Sequence, residues 1–152
     1  MKRQQLPETV LALNATLKAN PHLTEQMGPV HLLSVPGRAT RELRSTPVSP
    51  LTHAGKRWLV SAFADADWVK NLRASGWGRL TKGTRVERIG VVEVPLDQRA
   101  PVIRDFIQQM ASGRFAFDLT PDSPLEAFAA AAERYPVFEI VTAEPIASQP
   151  AS

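Results

Sequence analysis

The chain has 152 residues and a mass of 16.7 kDa, the size of a single domain around one core. Hydrophobic residues make up 43% and charged residues 22%, a globular composition, and the absence of cysteine excludes disulfides, a thiol nucleophile, iron–sulfur clusters and cysteine-ligated zinc. The formal net charge is only +3, yet residues 37–88 hold eleven basic groups against four acidic ones, while residues 89–152 hold four against nine.

Leu6, Val10, Leu13 and Leu17 recur at helical spacing and Asn20-Pro21 supplies a stop, so residues 7–19 read as an amphipathic helix. Its apolar face is expected to pack on the domain, with a membrane surface or a second subunit as alternative partners. Residues 22–29 read as a linker. Residues 30–35 form a short apolar run closed by Pro36-Gly37, a strand signature. Residues 44–51 alternate weakly and hold Pro47 and Pro50, which cannot donate to a central ladder, so this strand is expected at an edge, bulged or bent. His53 to Lys56 read as a hairpin turn and residues 57–63 as the returning strand. Asp65 or Asp67 is expected to cap a short helix ending at Ser75-Gly76. Residues 77–81 and 85–94 read as strands about Lys82-Gly83. Helices are expected over 98–110, with Pro101 in the first turn, and over 125–134. Residues 135–141 read as a last strand.

The order helix, hairpin-linked strands, two helices, strand lacks regular strand–helix alternation, and this favours an antiparallel α+β barrel. The expected organisation is an N-terminal helix and linker over 1–29, a barrel domain over 30–146 and a disordered tail over 147–152. The longest apolar runs are too short to cross a bilayer and residues 1–20 lack a signal-peptide centre, so the expected compartment is cytoplasmic. No zinc finger, RNP motif or helix-turn-helix pattern points to nucleic acid. His22, His31 and His53 show no metal-ligand spacing, and no serine sits in a nucleophile elbow.

Two segments can carry chemistry. In residues 36–47, Gly37 is expected to permit a tight turn that exposes amide groups to an anion. Arg38, Arg41 and Arg44 offer planar forks matched to phosphate or carboxylate, and Thr40, Ser45 and Thr46 add hydroxyls. A wet polar hairpin loop is the plainer reading. In residues 61–73, the small residues Ala62, Ala64 and Ala66 let a flat ring approach the backbone. Trp68 and Asn71 follow at i and i+3 on one helical face, a wall and an amide. A core tryptophan and a local asparagine cap are the plainer reading here. The Asp65–Asp67 pair reads as helix capping rather than a metal site, and Tyr135 as packing.

Taken together, LLSVPGRATRELRSTPVSP, RWLVSAFADADWVKNLRASG and RVERIGVVEV resemble the deazaflavin-dependent nitroreductase family, the actinobacterial type of split β-barrel oxidoreductase. In that family a G-R-[KR]-[ST]-G-x-x-R loop ends the first strand, the second strand carries a proline, and a W-x-x-N-L helix follows a small-residue loop. The motifs cover residues 30–95. The resemblance implies a split antiparallel barrel of the flavin reductase and pyridoxamine oxidase type with flanking helices, and a homodimer as one arrangement. It implies that the barrel binds the deazaflavin coenzyme F-420, with FMN as the second choice. The reaction implied is hydride transfer to a small-molecule electron acceptor: a quinone, a nitroaromatic or a conjugated enone. A non-catalytic barrel that binds or stores a cofactor is the alternative.

By position, the resemblance implies that Arg38, Thr40 and Arg44 take the anionic phosphate–oligoglutamate tail, with Arg41 supplementing their charge. Ser45, Thr46 and Pro47 would line the ring, and Ser61, Ala62, Phe63, Trp68 and Asn71 would close over the cofactor. Product protonation would come from solvent or from Ser61. The chain departs from the pattern at Ala39, where the family often has a basic residue, and at Arg41, where it has glycine. Its loop from Ser61 to Trp68 is also shorter than the family's GG-containing version.

Overall fold

A computed structural model describes residues 8–109 and 118–146, with side chains from residue 12 onward. The strands are β1 (His31–Pro36), β2 (Leu43–Val48), β3 (Leu51–His53), β4 (Lys56–Val60), β5 (Trp77–Lys82), β6 (Arg85–Glu93) and β7 (Val137–Ile146). The helices are α1 (Glu8–Ala19), α2 (Asp67–Ser75), α3 (Ala100–Gln109) and α4 (Leu125–Ala131). All strand pairs are antiparallel, in the order β2-β1-β5-β6-β7-β4-β3. The two edge strands, β2 and β3, are joined by Ser49-Pro50 alone. Opposite edges of a sheet can be consecutive in sequence at that distance only if the sheet curls round on itself, so the fold is a split barrel.

The prolines make this corner. Pro47 sits in β2, which pairs with β1 on one side only, and Pro50 separates β2 from β3. The expected strand over 44–51 is therefore two strands at opposite edges of the sheet. Ala54 (φ 54°) and Gly55 (φ 75°) close the β3–β4 hairpin with two left-handed residues, the turn that matches strand twist. β4 stops at Val60 rather than at 63. There the Ser61 hydroxyl accepts from the Phe63 amide (3.1 Å) and donates to the Phe63 carbonyl (2.8 Å), turning the chain. β7 runs on to Ile146, past the expected end at 141, because it follows β6 through a bulge beside Gly90 and Val91.

The barrel interior holds Leu33, Val35, Leu59, Leu80, Ile89, Phe138 and Ile140, capped by Val69 and Leu72 of α2. A second cluster lies between the β3–β4 hairpin and the helices, built on Trp58, Ile103, Ile107, Phe128 and Val137. Arg99 is buried beside it. It donates to the Val94 carbonyl (2.8 Å), the Ala132 carbonyl (3.1 Å) and Glu93 (3.1 Å), which leaves its charge paired.

Of the stripe expected on α1, Leu17 is buried and Leu13 exposed; the helix lies against β2. Leu6, Met110 and the tail over 147–152 lie outside the described residues. Part of the expected linker is a 3-10 turn, Pro21–Gln26. The Lys82 ammonium fixes it to the barrel by donating to the carbonyls of Thr24, Gly28 and Val30. No helix among the described residues is long and apolar enough to cross a membrane.

Candidate functional site

At the barrel end where β1 runs into β2, the connecting loop meets α2. Between them lies a cleft of about 320 Å³ lined by Gly37, Arg38, Ala39, Thr40, Arg44, Asp67 and Asn71. Gly37 is not left-handed here; its role is space. A Cβ on it would stand 2.9 Å from Thr40 Oγ1 and 3.3 Å from Arg44 Nε, so the glycine lets both side chains close over the backbone. Arg41 takes the left-handed conformation instead, at φ 64°. That is the position where the resembling family has glycine, and the backbone explains the preference.

The loop amides are mostly spent on the loop. Gly37 N–H donates to the Glu42 carbonyl and Arg41 N–H to the Gly37 carbonyl, both at 2.8 Å, and Glu42 N–H reaches Thr40 Oγ1 at 3.3 Å. Arg38 N–H goes to Asn71 Oδ1 at 3.0 Å. The amides of Ala39 and Thr40, at the loop tip, have no partner among the described residues, and they stand in the cleft beside the arginine side chains.

Arg38 is anchored twice, because its Nη1 also donates to Asn71 Oδ1 at 2.7 Å. Its Nη2 stands 3.6 Å from Asp67, an exposed pair. Asp67 occupies the first position of α2 and does not cap it: the cap position is Ala66, with no side-chain bond. The expected capping by Asp65 or Asp67 is thus replaced by a carboxylate on the cleft wall. Arg41 and Arg44 are exposed and have no ion-pair partner among the described residues.

The cationic middle segment does not converge on the cleft as a whole. Arg57 is held by Glu87, Arg73 by Glu93, and Lys56 lies 3.4 Å from Glu139. Arg88 stacks over Trp77 at 4.0 Å, and Lys82 is the staple described above. Arg38, Arg41 and Arg44 are the cations the fold delivers to the loop.

The candidates for a ring wall are divided by strand alternation. Thr46 pairs with Leu33 and Arg44 with Val35, so both share the interior-facing side of β2. Ser45 and Pro47 lie on the opposite side, and the Ser45 hydroxyl is 2.8 Å from that of Ser34. Phe63 and Trp68 pack on the interior cluster, with the Trp68 ring 6.1 Å from Phe138, whereas Ala62 packs on the helix-side cluster. Ser61 is buried and its hydroxyl donates to the Phe63 carbonyl. Of the second segment, Asn71 reaches the cleft together with Asp67. Its contact with Arg38 joins the two motif segments, and no pattern in either motif announces it.

Other titratable groups serve the scaffold. The Tyr135 hydroxyl donates to Asp118, and burial first, then that bond, raises its pKa. His53 Nδ1 lies 2.7 Å from Asp105 on the α3 side of the molecule. No group of metal-ligating side chains occurs among the described residues.

Solved structures share this architecture. One described as an F420-H2 dependent reductase aligns at TM-score 0.50 and 19% identity, covering 74% of this chain and 94% of its own. A pyridoxamine 5'-phosphate oxidase-related, FMN binding protein from Nostoc punctiforme aligns at TM-score 0.50 and 11% identity, covering 90% and 82%. A structure described as a domain-swapped dimer aligns at TM-score 0.51 and 16% identity, covering 83% and 96%. At these identities the likeness is one of fold. No curated protein matches the chain in sequence. Residues 12–118, however, match the family model of the F420H(2)-dependent quinone reductases, and that stretch contains the loop, β2 and α2. The chain is thus an oxidoreductase that belongs to the F420H(2)-dependent quinone reductase family.

Proposed function

We propose that the chain takes hydride from reduced coenzyme F-420 and delivers it to a small-molecule acceptor, a quinone first and a nitroaromatic or conjugated enone next. The observation that carries this reading is the cleft itself. Two arginines and a threonine line one small cavity, and Arg44 has no carboxylate partner among the described residues. A phosphate with a polyanionic tail matches that donor set. Family membership favours the deazaflavin over FMN as the cofactor.

When bound, the reduced deazaflavin supplies the hydride, and the protein supplies position, polarity and exclusion of water. Arg38, Thr40 and Arg44 hold the phosphate and tail, and Arg41 adds charge at the loop tip. At about 320 Å³ the cleft suits that anionic portion, and residues of β2 and α2 beyond it would hold the ring. Thr46 would face the ring from the strand and Ser61 would shape the turn that presents Phe63, while Ser45, Pro47 and Ala62, on the other faces, would support this wall from behind. Trp68 closes the apolar side, and solvent returns the proton to the product. A homodimer is the assembly we propose, with the domain-swapped neighbour as its support.

Titrating the purified protein with reduced F-420 and following fluorescence quenching tests the binding. Saturation at micromolar cofactor, followed by oxidation of the bound cofactor on adding a quinone, is expected. Saturable binding without turnover on quinones, nitroaromatics or enones overturns the enzymatic reading in favour of storage.

A further inference from the structure

We infer that Asn71 is a positioning residue, holding Arg38 with a neutral acceptor so that the guanidinium charge stays available to an anionic ligand. The inference deepens the reading above and rests on its anion site. Asn71 is 3% exposed, and one atom of it, Oδ1, accepts from both the backbone N–H and Nη1 of Arg38. The loop position and the guanidinium direction are thereby set together. An aspartate has the same shape and would accept the same two hydrogen bonds, more strongly because of its charge. Structural need alone would be met by either residue.

The two differ in what they leave for a ligand. Asp67, one helical turn before Asn71, already faces Nη2 at 3.6 Å, a long and exposed approach that neutralises little. A second carboxylate at position 71 would turn Arg38 into an internal ion pair. An aspartate there would also set a negative charge beside the anion and repel it.

The test compares wild type with Asn71→Asp against three probes: F-420 with its full tail, the deazaflavin nucleoside lacking phosphate and tail, and inorganic pyrophosphate. The expected result is cooperative unfolding like wild type, with binding of tailed cofactor and pyrophosphate weakened about tenfold or more. Nucleoside binding should be unchanged, a selectivity that general damage to the fold would not produce. Binding of both anionic probes within about threefold of wild type overturns the inference. If Asn71→Asp fails to fold, Asn71→Ala and Arg38→Ala form a double-mutant cycle. A double variant no weaker than Arg38→Ala alone supports positioning, and additive losses overturn it. Wild-type binding of pyrophosphate without any deazaflavin sinks the proposed function while leaving this comparison decisive on pyrophosphate. Wild-type binding of neither overturns both.

Discussion

Arg38 and Asn71, 33 residues apart in sequence, meet at a single oxygen that takes hydrogen bonds from the backbone and the side chain of the arginine. This contact ties the β1–β2 loop to α2 at the wall of the cleft. Both segments carry family motifs, and their meeting point is where the proposed chemistry becomes specific.

Arg44 is the cleft arginine with no ion-pair partner among the described residues, so it isolates the electrostatic contribution. Arg44→Ala is expected to weaken F-420 binding by about 1–3 kcal/mol while leaving the melting temperature nearly unchanged. Its remaining affinity should also depend less on salt than that of wild type. Quenching titrations at low and high ionic strength measure both effects. An unchanged affinity removes Arg44 from the site.

Asp67 acts against an anionic ligand from inside the same cleft. Asp67→Asn is expected to tighten F-420 binding about two- to fivefold, the scale of one exposed charge interaction. Isothermal titration reads it directly. Weaker binding would mean that the carboxylate orients Arg38 more than it competes for it.

Arg41 carries a side chain where the backbone prefers none. Arg41→Gly is expected to relieve about 1 kcal/mol of left-handed strain, partly offset by the greater freedom of glycine in the unfolded chain. The urea midpoint should rise or hold while tailed-cofactor affinity falls slightly. A clear drop in the midpoint would show that the Arg41 side chain makes contacts that outweigh its backbone.

Glu93 links pH to stability. Two hydrogen bonds from Arg73 hold its pKa below the ordinary 4.5; burial opposes this and Arg99 adds to it. Because the folded value is the lower one, its stabilisation is full above the ordinary glutamate range and is lost as pH falls through the folded pKa. Glu93→Gln should therefore lower stability at neutral pH and flatten the acid limb below about pH 4.5. Urea unfolding at pH 7 and pH 4 checks this. Parallel acid limbs in the two proteins would assign that slope to other carboxylates.

Much of the architecture was legible because it is written locally. Gly76 ended α2 as expected, in the left-handed conformation, and Gly55 closed the hairpin. Pro47 and Pro50 announced an edge and a bend, but not that the bend would carry the chain to the far edge of the same sheet. That depends on β7 pairing with β4, a partnership between residues 137–140 and 57–60 that no local pattern encodes. The site was legible in its residue types and less so in its geometry. Gly37 opens the turn it is expected to permit and also leaves room for Thr40 and Arg44, and the surplus of cations spread over several ion pairs. Strand alternation placed Thr46 apart from Ser45 and Pro47. Asp67, expected as a helix cap, became a cleft residue only once α2 was docked, and the contact of Asn71 with Arg38, between distant side chains, leaves no periodic trace.

The position of β7 has a consequence for biosynthesis. Among the described residues, strand pairing joins the block β2-β1-β5-β6 to the pair β4-β3 through this strand, and it leaves the ribosome after the other six. The loop and helix that form the cleft are thus made early and wait, unsupported on one flank, for residues 137–146 to arrive. A nascent chain arrested before that point would carry every cleft residue and still offer a ligand an unclosed sheet. Removing β7 should then abolish ligand capture without touching a single residue of the cleft.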